Sequence, residues 1–487
     1  MIDEVVKIHD KFSVEIKLGY ATRRTQKEND YMVNIWFFVP NSLDINRYTY
    51  SARDFYNDLK SNIRLITPVF LLREIATGEK TPFKHMEQSF RDLASNPIRK
   101  NVAEYEYHIK MFQSILKSSL RNEIQHIIKN EVKEDNPFLV KAFVENTILI
   151  THKYRELRRI INAPTVQKDL MRYYFYGDEF MSNIVEQNAL ILLSEFKQIN
   201  SNNFEESKKL LLDLIVRERE YKIEKEYPLV EKETTDSYRE LIHRRGVLKK
   251  YVESQLFLST STKKDGVLIE QILYSIAAGM AMIFATAIAF AFQQKYGNFT
   301  MPLFIALVVS YMLKDRIKDL MRYYFTGTLK RFFFDQKTEI NVKNNQTIGW
   351  CKEGFDFVIE KKVPKDVVKA RNRSLIMGVE NRVTAEKVFL YRKFLRLYRN
   401  ELDKVYEHYT ITGVNDIIRF NVSRFIAKMD NPEIPLYLVD HNNYEVISGE
   451  KVYFMNLVIS YQFEGNIQYS RYRLVFNRGG IKELVRC

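Results

Sequence analysis

The side chains able to do chemistry are scattered along this chain. Eight histidines fall at positions 9, 85, 108, 126, 152, 243, 408 and 441, and none has a second histidine or a cysteine at metal-ligand spacing. The two cysteines, Cys351 and Cys487, lack CxxC spacing. Two reduced thiols in a cytosolic protein are expected, rather than a disulfide or a zinc site. The acidic pairs Asp178-Glu179 and Glu205-Glu206 lie in charged helical patterns, where solvation explains them, and Asp440-His441 falls in a turn. No Walker A, GxGxxG, HExxH, GxSxG or kinase-loop sequence occurs. No catalytic residue, cofactor or metal is therefore assigned.

One ionisable residue stands in a setting that demands a partner. Glu270 lies one turn inside a long apolar run, at the depth of Lys314 and Arg316 on the far side of a second run. A membrane-edge ion pair of Glu270 with Lys314 and Arg316 is expected.

The element holding these residues spans 267–313. Ile272–Phe292 is 21 residues without a charge, about 31 Å as helix, which matches a bilayer core. Met301–Leu313 follows after a short polar break; its 13 residues make about 20 Å of helix, short for a core of roughly 30 Å. Gly297 suits the end of the first helix, and Thr300 with Pro302 the start of the second. A two-helix transmembrane hairpin is predicted, either crossing fully or re-entrant. Ala277, Ala281, Ala285 and Ala289 form a small-residue stripe on the first helix, and Pro302, Ala306 and Ser310 another on the second. Such stripes allow close helix packing in lipid, within the hairpin or against another subunit.

The charge supports this placement. The 487 residues carry a net +14. In residues 244–265, Arg244, Arg245, Lys249, Lys250, Lys263 and Lys264 outweigh two acids. In 314–331, Lys314, Arg316, Lys318, Arg322, Lys330 and Arg331 outweigh two acids. Only Lys295 lies in the connection. Both flanks are thus expected to be cytoplasmic and to contact anionic lipid of the inner leaflet, and nucleic acid is not needed to explain the charge. The N-terminus has no apolar stretch of signal-peptide length. The expected location is the plasma (inner) membrane, multi-pass with two spans and both termini in the cytoplasm.

Tyr296-Gly297-Asn298, set between two apolar runs and followed by Met301-Pro302, resembles over about seven residues the Tyr-Gly-Met-Asn loop of magnesium channels of the CorA type. The methionine is missing and some 170 residues follow the second run, where those channels end; no family is claimed on it.

Around the hairpin the chain reads as an α+β, mainly helical integral membrane protein. The parts are an N-terminal β-hairpin or small sheet (1–45), a helical cytosolic domain (46–258), the hairpin (267–313), interfacial and long helices (314–430) and a C-terminal antiparallel β-meander (431–487). Alternation at 13–18 and 31–39 gives the first strands. Helices are predicted near 50–62, 65–77, 84–94, 99–132, 137–162, 179–199, 203–226 and 234–258, with a break at Ser201–Asn203. A polar linker covers 259–266, a strand 355–360 and a long helix about 365–408. Four meander strands are predicted, at 434–440, 453–463, 468–477 and 481–485, with turns at His441-Asn442-Asn443 and Glu464-Gly465-Asn466. KDLMRYYFYG (168–177) recurs as KDLMRYYFTG (318–327); the simpler reading is a reused amphipathic helix end with each glycine as its stop, and the alternative is that both copies dock on equivalent surfaces, the membrane or a shared partner groove.

The reading that follows is a non-enzymatic tether, scaffold or signalling adaptor at the inner leaflet with an unidentified cytosolic protein partner. The alternatives are a homo-oligomeric channel or transporter subunit, and a membrane-bound enzyme with an unrecognised site in the helical domain.

Overall fold

In the computed structural model, the described residues are 2–78, 82–197, 205–230, 235–342, 346–372, 386–405, 408–440, 443–463 and 465–487. The break at Ser201–Asn203, the middle of the 365–408 stretch, Glu464 and His441-Asn442 lie outside them. The fold is mixed α+β and divides into two compact units. The first comprises residues 1–64, 258–405 and 412–487, the second residues 65–257 and 406–411.

The first unit is built on two sheets. Strands β1 (Ile2–Asp10), β2 (Ser13–Ala21), β3 (Glu28–Val39), β4 (Leu59–Leu65), β5 (Ser259–Lys264), β6 (Gln336–Asn341), β7 (Thr347–Val358), β8 (Lys387–Tyr398), β9 (Gly413–Asn421), β10 (Glu433–Asp440), β11 (Asn443–Glu450), β12 (Tyr453–Phe463), β13 (Asn466–Asn477) and β14 (Gly480–Arg486) follow in chain order. One sheet has the order β1-β2-β9-β4, the other β14-β13-β12-β3-β8-β7-β6-β5, and β10 with β11 forms a separate ribbon. Aromatic rings fill the space between the two larger sheets. Phe37 of β3 stacks on Phe389 of β8 at 4.6 Å and meets Phe420 of β9 at 4.9 Å. Phe55, in helix α1 (Ala52–Asp58), stacks on Phe355 of β7 at 4.5 Å. The opposite face of the large sheet is covered in part by Val363 and Val367 against Trp36, Phe38, Val388, Leu390 and Val458.

Several expectations are corrected here. The strands at 13–18 and 31–39 do not pair with each other: β2 pairs with β1 and β9, and β3 with β8 and β12. The 259–266 stretch is not a linker, because β5 pairs with β6 from Ser259↔Asn341 to Lys264↔Gln336. The long helix at 365–408 is not formed. A short helix, Lys365–Arg371, is followed beyond the undescribed residues by strand β8. The C-terminal meander has three strands, β12 to β14, and continues into β3 from the N-terminal end, so the first and last segments share one sheet. Strand 434–440 pairs with β11 instead. Residues 59–65 are strand β4 rather than helix.

The second unit is helical: α2 (Leu72–Thr77), α3 (Pro82–Ser95), α4 (Arg99–Lys129), α5 (Asn136–Glu156), α6 (Arg158–Ile161), α7 (Met171–Lys197), α8 (Glu205–Glu224) and α9 (Thr235–Glu253). Gly177 does not end a helix; it lies inside α7 where a Cβ would meet the Tyr154 hydroxyl at 2.4 Å and Ile109 Cγ2 at 2.9 Å. Its role is close packing of α7 on α4 and α5. The helix carrying the second copy likewise runs past Gly327 to Phe332.

Candidate functional site

The apolar segment folds into two helices, α10 (Val267–Tyr296) and α11 (Met301–Phe332), packed along each other. Gly266, at φ 70°, turns the chain from β5 into α10. Gly297, at φ 78°, closes α10, and its N–H donates to Gln293 O at 2.9 Å. Thr300 does not cap α11 with its hydroxyl, which makes no hydrogen bond; its carbonyl accepts from the Phe304 N–H at 3.1 Å. The helical run expected to continue after Leu313 is formed as part of α11.

Within the hairpin, Ala277, Ala281, Ala306 and Ser310 are buried, Ala285 and Ala289 half-buried, and Pro302 exposed. The small stripes thus carry the helix–helix contact, where backbones approach closely. Many of the large apolar side chains face outward: Leu268, Ile283 and Phe290 on α10 are 73%, 69% and 70% exposed, and Phe304 and Met312 on α11 are 62% and 65% exposed. Of the described helices, only α10 is long and apolar enough to cross a membrane. The apolar run of α11 stops at Lys314, and two complete spans are therefore not supported.

The expected pair of Glu270 with Lys314 and Arg316 is not formed. Glu270 instead accepts from Lys264 Nζ at 2.5 Å and from the Tyr274 hydroxyl at 2.8 Å. The chain turn at Gly266 brings β5 and the first turn of α10 together, which makes Lys264 the local cation. Lys314 lies over the Tyr311 ring at 4.0 Å and Arg322 over Tyr274 at 5.3 Å; Lys318 bonds Asp315 at 2.9 Å, and Lys263 and Arg316 are exposed. In the second unit, Lys249 and Lys250 are exposed, but Arg244 holds Glu179 through two bonds of 2.7 Å and Arg245 lies 3.6 Å from Glu186. Those two guanidiniums are committed to the fold.

Two clusters were not visible in the sequence. Between the sheets of the first unit, Lys393 of β8 is 1% exposed, with Nζ 2.6 Å from Asp416 of β9, 2.9 Å from Glu353 of β7 and 3.1 Å from Ser61 Oγ of β4. Tyr391 and Gln336 also donate to Glu353. Burial opposes the charge on Lys393, but Asp416 and Glu353 outweigh it and hold the ammonium well above its ordinary pKa. Burial likewise pushes Glu353 up, and Lys393 with the hydrogen bonds leaves it below the usual carboxylate value. Burial lifts the neighbouring Cys351 thiol to about 12. A fixed ammonium and a protonated thiol sealed from solvent are not nucleophiles; the cluster welds the sheets together.

In the second unit, three histidines from distant parts of the sequence converge. His85 of α3 stacks on His408 at 4.7 Å, and His108 of α4 lies 5.6 Å from His408 and 6.2 Å from His85. Burial, then His408 and His85, lowers His108 to about 4. The rings stack rather than converge on one point, and among the described residues no group of three or more His, Cys, Asp or Glu is arranged to hold a metal. An open cleft of about 590 Å³ in the first unit is lined by Arg47, Tyr48, Phe357, Ile359, Glu386 and Lys387. It mixes both charge signs without a nucleophile–base pair.

No family model, curated protein or solved structure matches this chain. The physical character of its own surfaces is what bears on function.

Proposed function

We propose that the chain is a membrane-anchored, non-enzymatic tether whose α10–α11 hairpin enters the bilayer from the cytoplasmic face, with α10 as the span. The observation that carries this reading is the exposed apolar surface on both helices of the hairpin, where the fully buried residues among those described are the small ones, Ala277, Ala281, Ala306 and Ser310. Exposed contiguous apolar patches on soluble monomers rarely exceed a few hundred Å². Each large aliphatic or aromatic side chain left in water forgoes about 1.5–3 kcal/mol of burial. A bilayer removes that cost along the whole length of α10.

The pairing of β5 with β6 supports a same-side arrangement. A chain that leaves a sheet at Lys264 and rejoins the neighbouring strand at Gln336 must return to the side it started from. The shorter apolar run of α11 is then compensated by Lys314 at its inner end, whose stem can lie along lipid while its charge reaches the headgroups. Confinement at one leaflet raises the effective concentration of both units for a cytosolic partner, which is how a tether acts.

The hairpin can be removed at its base. Asp265 N–H donates to Asp335 O at 3.4 Å, so excision of residues 266–334 and closure by an Asn-Gly turn keeps the sheet edge. The shortened chain is expected to fold and to stay in the supernatant after carbonate extraction, whereas the full chain stays with the membrane pellet. A full-length chain that is soluble without detergent contradicts the proposal.

A further inference from the structure

Among the described residues the ribbon of β10 and β11 pairs only with itself, from Glu433↔Glu450 to Asp440↔Asn443. One face carries Ile434, Leu436, Leu438 and Ile447; the other carries Tyr437, Val439, Tyr444 and Val446. All eight are between 43% and 78% exposed. A two-stranded ribbon is marginal in water. A sheet with one solvated face alternates apolar and polar residues; this one is apolar on both faces and has open edges.

Its formal charges are all of one sign. Glu433, Asp440, Glu445 and Glu450 stand in 433–450 without a lysine or arginine, a balance of −4, on a chain whose remainder is then +18. An anionic bilayer repels such a ribbon, and a basic protein surface attracts it. The chain itself offers one. Beyond its apolar run, α11 exposes Leu320, Tyr323 and Tyr324 (68%, 83% and 69%) beside Arg316.

The repeated decapeptide sharpens the match. In the first copy Tyr174 is 1% exposed and packed against Tyr154, with ring centroids 5.1 Å apart. Its counterpart Tyr324 is 69% exposed. The equivalent tyrosine is thus buried in one copy and exposed in the other.

We propose that the β10–β11 ribbon is a homotypic docking arm, which lies on the 314–325 stretch of α11 in a second copy of the chain. The face of Ile434, Leu436, Leu438 and Ile447 covers Leu320, Tyr323 and Tyr324, and Glu445, paired with Leu438 on that same face, meets Arg316. The contact lies outside the apolar run of the hairpin and does not rest on the bilayer reading.

Native mass measurement of the full chain in mild detergent tests it. The intact protein is expected at a multiple of the 58.0 kDa chain. Tyr323→Ser with Tyr324→Ser, both at exposed positions, is expected to reduce it to one chain, as is Leu436→Ser with Leu438→Ser. Glu445→Lys alone weakens association about tenfold, and adding Arg316→Glu to the same chain restores it, a rescue that a misfolded ribbon would not give. A single-chain mass for the intact protein at tens of micromolar overturns the proposal. So does an assembly that ignores both sets of substitutions. Loss of binding to phosphatidylserine vesicles by the ribbon variant, with its mass unchanged, assigns the ribbon to lipid and overturns it too.

Discussion

Lys393 shows how much a single residue can decide. Its ammonium is the cation for two buried carboxylates contributed by different sheets, Glu353 and Asp416. Removing one member of such a network leaves uncompensated charge in a dry interior, at a cost of about 3–5 kcal/mol. Lys393→Met is expected to lower unfolding stability by that amount in urea titration; a loss below about 1 kcal/mol would mean the carboxylates are hydrated. The pH dependence follows from Glu353, whose folded pKa is depressed below its ordinary 4.5. Its contribution is present above that value and is lost as pH falls through the folded one. The same residue explains a misreading of the sequence. Phe389, Tyr391, Leu395 and Leu397 alternate as a strand should, but Lys393 interrupts the apolar series on the buried face, and with Lys387, Arg392 and Arg396 it makes the stretch look like a charged helix. A buried cation carries no local mark; only its partners, from β7 and β9, reveal it.

At the scale of elements, the segment 408–411 is held on the helical unit by the histidine stack and by Tyr409, whose hydroxyl lies 3.4 Å from His108 Nδ1. Tyr107 also faces His108, at 4.9 Å between ring centroids. Folding keeps His108 neutral, because its pKa falls from 6.5 to about 4. A histidine lowered in this way costs nothing above 6.5, and its stability contribution is lost progressively as pH drops from 6.5 towards 4, by about 3 kcal/mol in all. His108→Gln is expected to flatten that part of the stability–pH curve, read by hydrogen exchange in 408–411; an unchanged slope would show that the stack is not what titrates. The helices of this unit were largely legible, since α3, α4, α5, α7, α8 and α9 follow apolar periodicity between Pro, Gly and Asn breaks. The histidine cluster was not, because 300 residues separate His108 from His408. Gly177 was misread for a related reason: a glycine that admits a neighbour's side chain looks, in sequence, like one that ends a helix.

For the whole molecule, the wiring of the large sheet escaped sequence reasoning most completely. The C-terminal alternation gave β12, β13 and β14, yet their neighbour is β3, more than 400 residues earlier in the chain, and strand pairing at that separation leaves no periodic trace. The polar stretch 259–266 read as a linker because β5 is an exposed edge strand without an apolar face. Its pairing with β6 turns out to fix both ends of the hairpin side by side. That arrangement makes the anchoring claim testable by sidedness. In a Cys487→Ser background, where Cys351 is buried, single cysteines at Lys295 or Asn298 should react with an impermeant thiol reagent applied outside intact cells. Cysteines at Ser261 or Lys337 should react only after the membrane is opened. Labelling of Ser261 or Lys337 from outside, or protection of all four positions alike until lysis, would contradict the account.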